Sequence, residues 1–167
     1  MSRVLLLGWG NPGRGDDAIG PRLLERLEAE AGRHPEWGEH GFVTDFQLQP
    51  EHALDLEGAG QVLFVDASAS SPAPYAFTRV TPSRDRSFST HALSPQALLA
   101  VVEGLEGVAP PAWLLAVRGE HFELGAPMSA AAEARLGAAE RLAADLLSHP
   151  DPRFWDEAAA GGLPCTS

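Results

Sequence analysis

Three short and nearly continuous apolar runs constrain the fold of this chain most strongly. They are Arg3–Gly8, Gln61–Asp66 and Ala112–Arg118, and each has the length of a β-strand rather than of a helix. An apolar run without alternation is typical of a strand that is buried on both faces of a parallel sheet. Because such a sheet must be covered by helices on both sides, these runs predict an α/β fold.

The segments between these runs supply helices and further strands. Two serines, Ser94 before Pro95 and Ser129 before an Ala- and Leu-rich run, are predicted to cap helices that end near Glu106 and Ser148. The other predicted elements are a helix from Asp16 or Asp17 to about Gly32, a short helix at Pro50–Leu56, and strands at Phe42–Leu48 and Tyr75–Thr81. We therefore predict a three-layer fold resembling phosphorylase- and hydrolase-type folds, in which a mostly parallel, twisted sheet of about five strands has helices on both faces.

The domain organisation follows from length and periodicity. A chain of 167 residues is long enough to bury a core of its own, so residues 1–149 are predicted to form one α/β domain. Residues 150–167 contain prolines and two adjacent glycines and have no periodicity, so they are predicted to be a poorly ordered tail.

Composition excludes several classes of function. The 23 acidic residues exceed the 12 basic ones, and the resulting net charge of −11 disfavours nucleic-acid binding. The single cysteine, Cys165, excludes a disulfide framework and a cysteine-based metal site within the chain. No apolar run approaches a membrane span, and the first residues lack a signal-peptide cleavage region, so a cytoplasmic protein without a membrane partner is expected.

The first strand leads into a glycine-rich loop that begins at Gly8 and ends near Gly15. A dinucleotide site is disfavoured, because Asp16 and Asp17 would stand where a pyrophosphate must bind the helix N-terminus. A P-loop is excluded because the chain has no lysine, and no organic cofactor is expected. One aspartate, Asp16, is predicted to cap the helix, which leaves Asp17 as the functional candidate.

Two further polar residues are predicted near Asp17, because sites in parallel sheets lie at the carboxyl ends of the strands. Asp66 ends the second buried run, and His91 lies on a loop before a helix. Two carboxylates and an imidazole leave coordination positions open and suit a divalent ion such as Ni²⁺, Zn²⁺ or Mn²⁺. The alternatives are structural: Asp66 closes a turn with Ser68, and His91 is solvated.

The glycine-rich loop also carries a family resemblance. The stretch Leu7–Pro21 (LGWGNPGRGDDAIGP) resembles the opening of the [NiFe]-hydrogenase maturation proteases, endopeptidases that remove the C-terminal extension of the hydrogenase large subunit. The segments Val65–Ala67, Thr90–His91 and Arg118–Leu124 fall where that family has its later motifs, so the resemblance spans about residues 3–147. The form of the loop is most similar to members that serve soluble, NAD-linked hydrogenases.

This resemblance implies a site and a partner. Asp17, Asp66 and His91 match the family residues that contact nickel, and they are the predicted catalytic and metal-contacting residues of this chain. The nickel is supplied by the substrate, the large-subunit precursor. Because the chain has neither an H-E-x-x-H nor a G-x-S-x-G motif, metal-assisted hydrolysis is the predicted chemistry.

Two alternatives remain. The Gly-Asn-Pro-Gly sequence also resembles peptidyl-tRNA hydrolase, but Arg14–Asp17 departs from that family's pattern and its catalytic histidine position is missing. The second alternative is a non-catalytic, chaperone-like module that docks on the nickel-loaded large subunit.

Overall fold

The computed structural model describes residues 3–84 and 93–161, and these residues contain one five-stranded sheet. The strands lie in the spatial order β2-β1-β3-β5-β4. Four of them are parallel, and β4 pairs antiparallel with β5 at one edge. Their bounds are β1 (Arg3–Trp9), β2 (His40–Asp45), β3 (Ala59–Ser68), β4 (Tyr75–Val80) and β5 (Ala112–Arg118). The predicted mostly parallel sheet is confirmed.

Helices cover both faces of this sheet. On one face, α1 and α3 pack over a core that includes Leu6, Val65 and Leu115. On the other face, α2 packs over a second core that includes Leu7 and Phe64. The helix bounds are α1 (Ile19–Ala31), α2 (Pro95–Glu106), α3 (Ala130–Ser148) and α4 (Pro152–Ala159). The strand residues alternate between the two cores, which explains why the strand sequences are apolar throughout.

Two predicted helix caps are confirmed. The Ser94 hydroxyl oxygen accepts a hydrogen bond from the backbone N–H of Ala97 at 3.1 Å. The Ser129 hydroxyl oxygen accepts one from the N–H of Ala132, also at 3.1 Å. These bonds fix the starting points of α2 and α3.

The register of β1 against β3 positions the candidate site. Gly8 of β1 lies opposite Val65 of β3 in the parallel ladder. The chain therefore leaves both strands at the same edge of the sheet, with Asp66 directly after Val65. A turn of 3-10 helix, Gly15–Ala18, then precedes α1, so the α-helix begins two residues after Asp17 rather than at the aspartates.

The prediction of a poorly ordered tail after His149 is wrong for the described part of that segment. Residues 152–159 form α4, and its Trp155 is fully buried. The Trp155 ring packs edge-on against Trp113 of β5, with ring centroids 5.0 Å apart. Asp156 accepts hydrogen bonds from the indole N–H of Trp113 at 3.1 Å and from Arg79 at 2.9 Å. A helix of eight residues is too short to show a clear period, and tertiary packing accounts for its presence.

Other differences from prediction concern where an element ends and which type of helix forms. The second strand, predicted at Phe42–Leu48, spans His40–Asp45, and the short helix at Pro50–Leu54 is a 3-10 helix. None of the helices in the described residues has the length and apolar character that a membrane span requires.

Candidate active site

The turn after β1 holds Asp17 in a fixed position. A carboxylate oxygen of Asp17 accepts a hydrogen bond from the backbone N–H of Asn11 at 2.6 Å. The side-chain oxygen of Asn11 in turn accepts one from the N–H of Gly13 at 2.8 Å. The side chain of Asp17 is partly exposed. The glycine-rich loop therefore directs its backbone donors at a carboxylate of its own chain.

Close backbone packing explains two of the glycines in this region. Gly10 has φ of +146°, and a Cβ added there would overlap the backbone carbonyl oxygen of Asp17. A Cβ on Gly20 in the first turn of α1 would come within 2.5 Å of the carbonyl oxygen of Trp9. These glycines allow the loop and α1 to approach the end of β1 closely.

Asp66 lies at the end of β3 with a partly buried side chain. Burial raises the pKa of Asp66 to about 7, the negative charge of Asp17 adds to this shift, and the backbone N–H of Ala67 opposes it. Near neutral pH, Asp66 is therefore divided between its acid and carboxylate forms. The predicted convergence of Asp17 and Asp66 is supported by this electrostatic coupling.

Two carboxyl groups in such unlike environments can play different chemical parts. Asp17 accepts a backbone hydrogen bond, whereas Asp66 is partly desolvated and holds its proton to about pH 7. Pairs of this kind supply a general acid and a general base in hydrolytic sites. Carboxylate oxygens are also ligands for divalent cations.

The third predicted residue, His91, lies outside the described residues. Within residues 3–84 and 93–161, no group of three histidine, cysteine or acidic side chains is arranged to hold a metal ion. The described residues thus include two members of the predicted ligand set, Asp17 and Asp66, and the metal-contacting role of all three residues stays a prediction.

The predicted role of Asp16 as the cap of the first helix is wrong. No side chain caps the N-terminus of the Gly15–Ala18 turn or of α1. Asp16 is fully buried and its carboxylate accepts bonds from the backbone N–H groups of Glu120 (2.7 Å), His121 (3.0 Å) and Ser129 (2.7 Å) and from the Ser129 hydroxyl (2.8 Å). Burial raises its pKa, but these four donors outweigh burial and hold the pKa below the ordinary value.

Asp16 thereby ties the turn before Asp17 to the loop after β5, residues 119–129. Backbone bonds reinforce this connection: Gly15 N–H donates to Ala126 at 3.0 Å, Asp16 N–H to His121 at 2.7 Å, and Gly125 N–H to Gly13 at 2.7 Å. Sequence reasoning missed this role because the partners are more than 100 residues away. The only available signal was the presence of two adjacent aspartates where one cap suffices.

The end of β5 forms another side of this region. The Arg118 guanidinium donates to the backbone carbonyl of Ser71 at 2.9 Å, and Arg135 pairs with Glu120 at 2.7 Å. Hydrogen bonds therefore connect the loop after β5 to the loops after β1 and β3 near the candidate site.

Comparison with known proteins supports the fold. No family model matches the sequence, and no curated protein matches it. Among solved structures, the [NiFe]-hydrogenase maturation protease HycI from Thermococcus kodakarensis superposes with a TM-score of 0.65 at 22% identity, over 89% of this chain and 94% of that chain. The hydrogenase maturating endopeptidase HybD from E. coli gives a TM-score of 0.64 at 23% identity, over 86% of this chain and 91% of the other.

A third structure extends this result to another source. The hydrogenase 2 maturation peptidase from a Thaumarchaeota archaeon has a TM-score of 0.61 at 21% identity, over 87% of this chain and 97% of that chain. The resemblance predicted from the loop after β1 is thus confirmed in three dimensions, and this chain has the fold of the hydrogenase maturation proteases.

Proposed function

We propose that this protein is an endopeptidase that removes the C-terminal extension of a [NiFe]-hydrogenase large-subunit precursor after nickel insertion. The observation that carries the proposal is the place of Asp17 and Asp66 beyond the carboxyl ends of β1 and β3, where the charge of Asp17 helps to raise the pKa of Asp66, in a fold shared with hydrogenase maturation proteases. The loop after β1 favours a soluble, NAD-linked hydrogenase as the source of the substrate, and the cytoplasm as the place of action.

Nickel enters this scheme as part of the substrate. Asp17, Asp66 and His91 contact the nickel of the loaded precursor, and the protein thereby distinguishes loaded from empty precursor. Two oxygen ligands and one imidazole suit Ni²⁺ and leave coordination positions for the precursor's own ligands. The role of His91 is inferred from the family resemblance alone.

The chemical step is hydrolysis of one peptide bond. In its carboxylate form, Asp66 accepts a proton from the attacking water, whose oxygen bonds to the peptide carbon. In its acid form it returns a proton to the nitrogen that leaves as the C–N bond breaks. The pKa of about 7 holds for Asp66 without nickel, and contact with the nickel of the precursor favours the carboxylate form, which is the form that accepts the proton. The side chain of Asp17 is held by the backbone N–H of Asn11, and its negative charge helps to raise the pKa of Asp66.

A processing assay tests the proposal. Purified protein is incubated with nickel-loaded and with nickel-free precursor, and the products are identified by mass spectrometry. We expect one cut near the C-terminus of the loaded precursor and none in the empty one. Asp17→Asn abolishes the cut, whereas the matched control Asp55→Asn leaves it unchanged, because Asp55 lies before β3 at the opposite edge of the sheet.

The same assay separates the alternatives. Binding of the loaded precursor without cleavage would favour a non-catalytic chaperone and overturn the proposal. Release of amino acids from peptidyl-tRNA would favour a peptidyl-tRNA hydrolase, which the net charge of −11 disfavours.

A further inference from the structure

The β2 strand leaves one side of its backbone unpaired within the described residues. β2 is an edge strand whose ladder partner is β1. The carbonyl oxygens of Glu39 and Asp45 accept bonds from Val4 (3.1 Å) and Gly10 (3.0 Å) on the β1 side. Because successive residues of a strand point their backbone groups to opposite sides, those of Phe42 and Thr44 point away from β1.

A groove follows this open edge, and we call it the β2 groove. Its lower part, a cavity of about 220 Å³, lies between α1 and β2 and is lined in part by Leu24, Phe42 and Thr44. Its upper part, about 330 Å³, is lined by residues of the loop after β1 and the end of β2. Both parts are lined by Pro21 and Thr44, so they are adjacent along β2.

The upper end of the β2 groove reaches the loop that holds Asp17. Gly10 and Pro12 line it there, and Phe46 stands beside them with 64% of its surface exposed. Asn11, between Gly10 and Pro12, donates the backbone hydrogen bond to Asp17. A polypeptide bound in the β2 groove therefore extends to the loop that holds Asp17.

The charge of the groove is of one sign. Glu25 and Glu28 line its lower part, and Asp45, which lies 3.2 Å from His52, lines its upper part. No arginine or histidine is among the described residues that line it. An extended chain with basic side chains therefore complements the β2 groove, whereas an acidic chain is repelled.

We propose that the β2 groove binds an extended, basic segment of the precursor next to the scissile bond, and that this segment pairs with β2 as a sixth strand. The inference rests on the proposed function and deepens it, because it names the surface and the chemistry that select the substrate. Addition of a strand to an open sheet edge gives affinity through backbone hydrogen bonds, and flanking side chains give selectivity.

A pair of substitutions at one residue tests the backbone pairing. Thr44→Pro removes an outward N–H that has no hydrogen-bond partner among the described residues, and proline is tolerated at such an edge position. Thr44→Val keeps the N–H and removes only the hydroxyl. We expect the Kd of a synthetic peptide spanning the cleavage region to rise about tenfold in Thr44→Pro, the effect of losing roughly one or two hydrogen bonds. Thr44→Val, which keeps the N–H, should raise the Kd less than Thr44→Pro does.

Amide hydrogen exchange provides a readout that does not depend on a folded proline variant. Adding the peptide to the wild-type protein should protect the N–H groups of Phe42 and Thr44, which point outward. The N–H of Val43 points toward β1 and should show no comparable change. Equal exchange of the outward amides with and without saturating peptide would overturn the inference.

Two double variants test whether the acidic side chains of the β2 groove contribute to peptide binding. We expect Glu25→Gln combined with Glu28→Gln to weaken peptide binding about fivefold at low salt and to reduce its salt dependence. Glu103→Gln combined with Glu106→Gln removes two exposed acids from α2 and should leave binding unchanged. An equal effect of the two double variants would contradict a basic occupant of the groove.

These outcomes separate the inference from the function on which it rests. Cleavage of the nickel-loaded precursor by the wild-type protein, with equal Kd values of the peptide for Thr44→Pro and Thr44→Val, overturns strand addition and leaves the proposed function standing. A wild-type protein that does not cleave the nickel-loaded precursor overturns the proposed function, and the inference falls with it.

Discussion

The charge of Asp17 at the turn after β1 acts on Asp66 at the end of β3, and together with burial it raises the pKa of Asp66 to about 7. Two residues that are 49 positions apart in sequence thus form one electrostatic unit. The parallel pairing of β1 with β3 brings them together, because both strands end at the same edge of the sheet.

The first prediction concerns this coupling. Asp17→Asn removes a negative charge and should lower the pKa of Asp66, but not to its ordinary value, because burial is the larger cause of the shift. The measurement is a carbon-13 NMR titration of the side-chain carboxyl groups in metal-free buffer. Asp55→Asn serves as the control and should leave the titration of Asp66 unchanged. An identical Asp66 midpoint in Asp17→Asn would show that the two groups do not interact.

The second prediction concerns stability and pH. Asp66 keeps its proton to about pH 7 in the folded state but loses it near pH 3.8 when unfolded. The folded state therefore binds more protons in this interval, and stability falls as the pH rises from about 4 to 7. Asp66→Asn removes this effect. We expect its gain in Tm over the wild type to grow across the interval and to level off above pH 7.

The expected gain in Tm of Asp66→Asn follows from the size of the pKa shift of Asp66. The pKa shift corresponds to a change on the order of 1–3 kcal/mol, after allowing for partial exposure of Asp66, or several degrees in Tm for a chain of this length. Circular-dichroism melts of both proteins at a series of pH values provide the comparison. A gain that stays constant between pH 4 and pH 8 would mean that Asp66 has no raised pKa. A stabilised but inactive variant is the expected trade-off at a catalytic position.

The sequence predicted those features that depend on local patterns. β1, β3 and β5 are apolar runs that are buried on both faces, and the run predicted at Ala112–Arg118 matches β5 to the residue. The caps at Ser94 and Ser129 depend on contacts three residues along the chain, which a sequence displays directly.

Features that depend on distant contacts could not be predicted in this way. Asp16 bonds to residues more than 100 positions away, and nothing in its neighbours distinguishes this role from helix capping. Trp155 lies in a segment without periodicity, and its burial depends on packing against Trp113, a residue 42 positions earlier in the chain. Asp66 was identifiable as a strand-end acid, but its raised pKa depends on a desolvated environment that only the packed structure defines.

The third prediction concerns Asp16. Asp16→Asn keeps the size of the side chain but replaces one acceptor oxygen by an NH₂ group that faces N–H donors. Because the site is fully buried, we expect a loss of about 2–4 kcal/mol in the free energy of unfolding. Ser129→Ala removes one donor and the α3 cap and should cost less, about 1 kcal/mol. Urea unfolding at pH 7 measures both. A loss in Asp16→Asn no larger than that in Ser129→Ala would show that the carboxylate network contributes little.

The fourth prediction compares a glycine whose Cβ position is blocked with one whose Cβ position is open. Gly10→Ala introduces a Cβ that overlaps the Asp17 carbonyl, at a φ that disfavours alanine, so Asp17 must move. We expect a loss of roughly a hundredfold in kcat for precursor cleavage, the effect of a displacement of about 1 Å in a catalytic group. Gly104, inside α2, has open space around its Cβ position. Gly104→Ala should leave cleavage unchanged and stabilise the protein by about 0.5–1 kcal/mol. Equal activities of Gly10→Ala and Gly104→Ala would show that the position of Asp17 does not matter for cleavage.

The fifth prediction concerns α4. Trp155 is fully buried, its indole N–H donates to the carbonyl oxygens of Leu146 (2.9 Å) and His149 (3.1 Å), and its ring covers Trp113. Trp155→Ala should therefore lower the free energy of unfolding by about 3–5 kcal/mol, measured by urea unfolding. Glu157→Ala, an exposed change on the same helix, should alter it by less than about 0.5 kcal/mol.

A truncation after His149 extends this test from one side chain to the whole segment. It removes Trp155 and also Asp156, which pairs with Arg79 and with the indole of Trp113. Because Trp113 then loses its cover, we expect a loss of stability at least as large as that of Trp155→Ala, and a red shift of tryptophan fluorescence in the native state. Wild-type stability in the truncated chain would mean that residues 150–167 are the dispensable tail that their composition suggests.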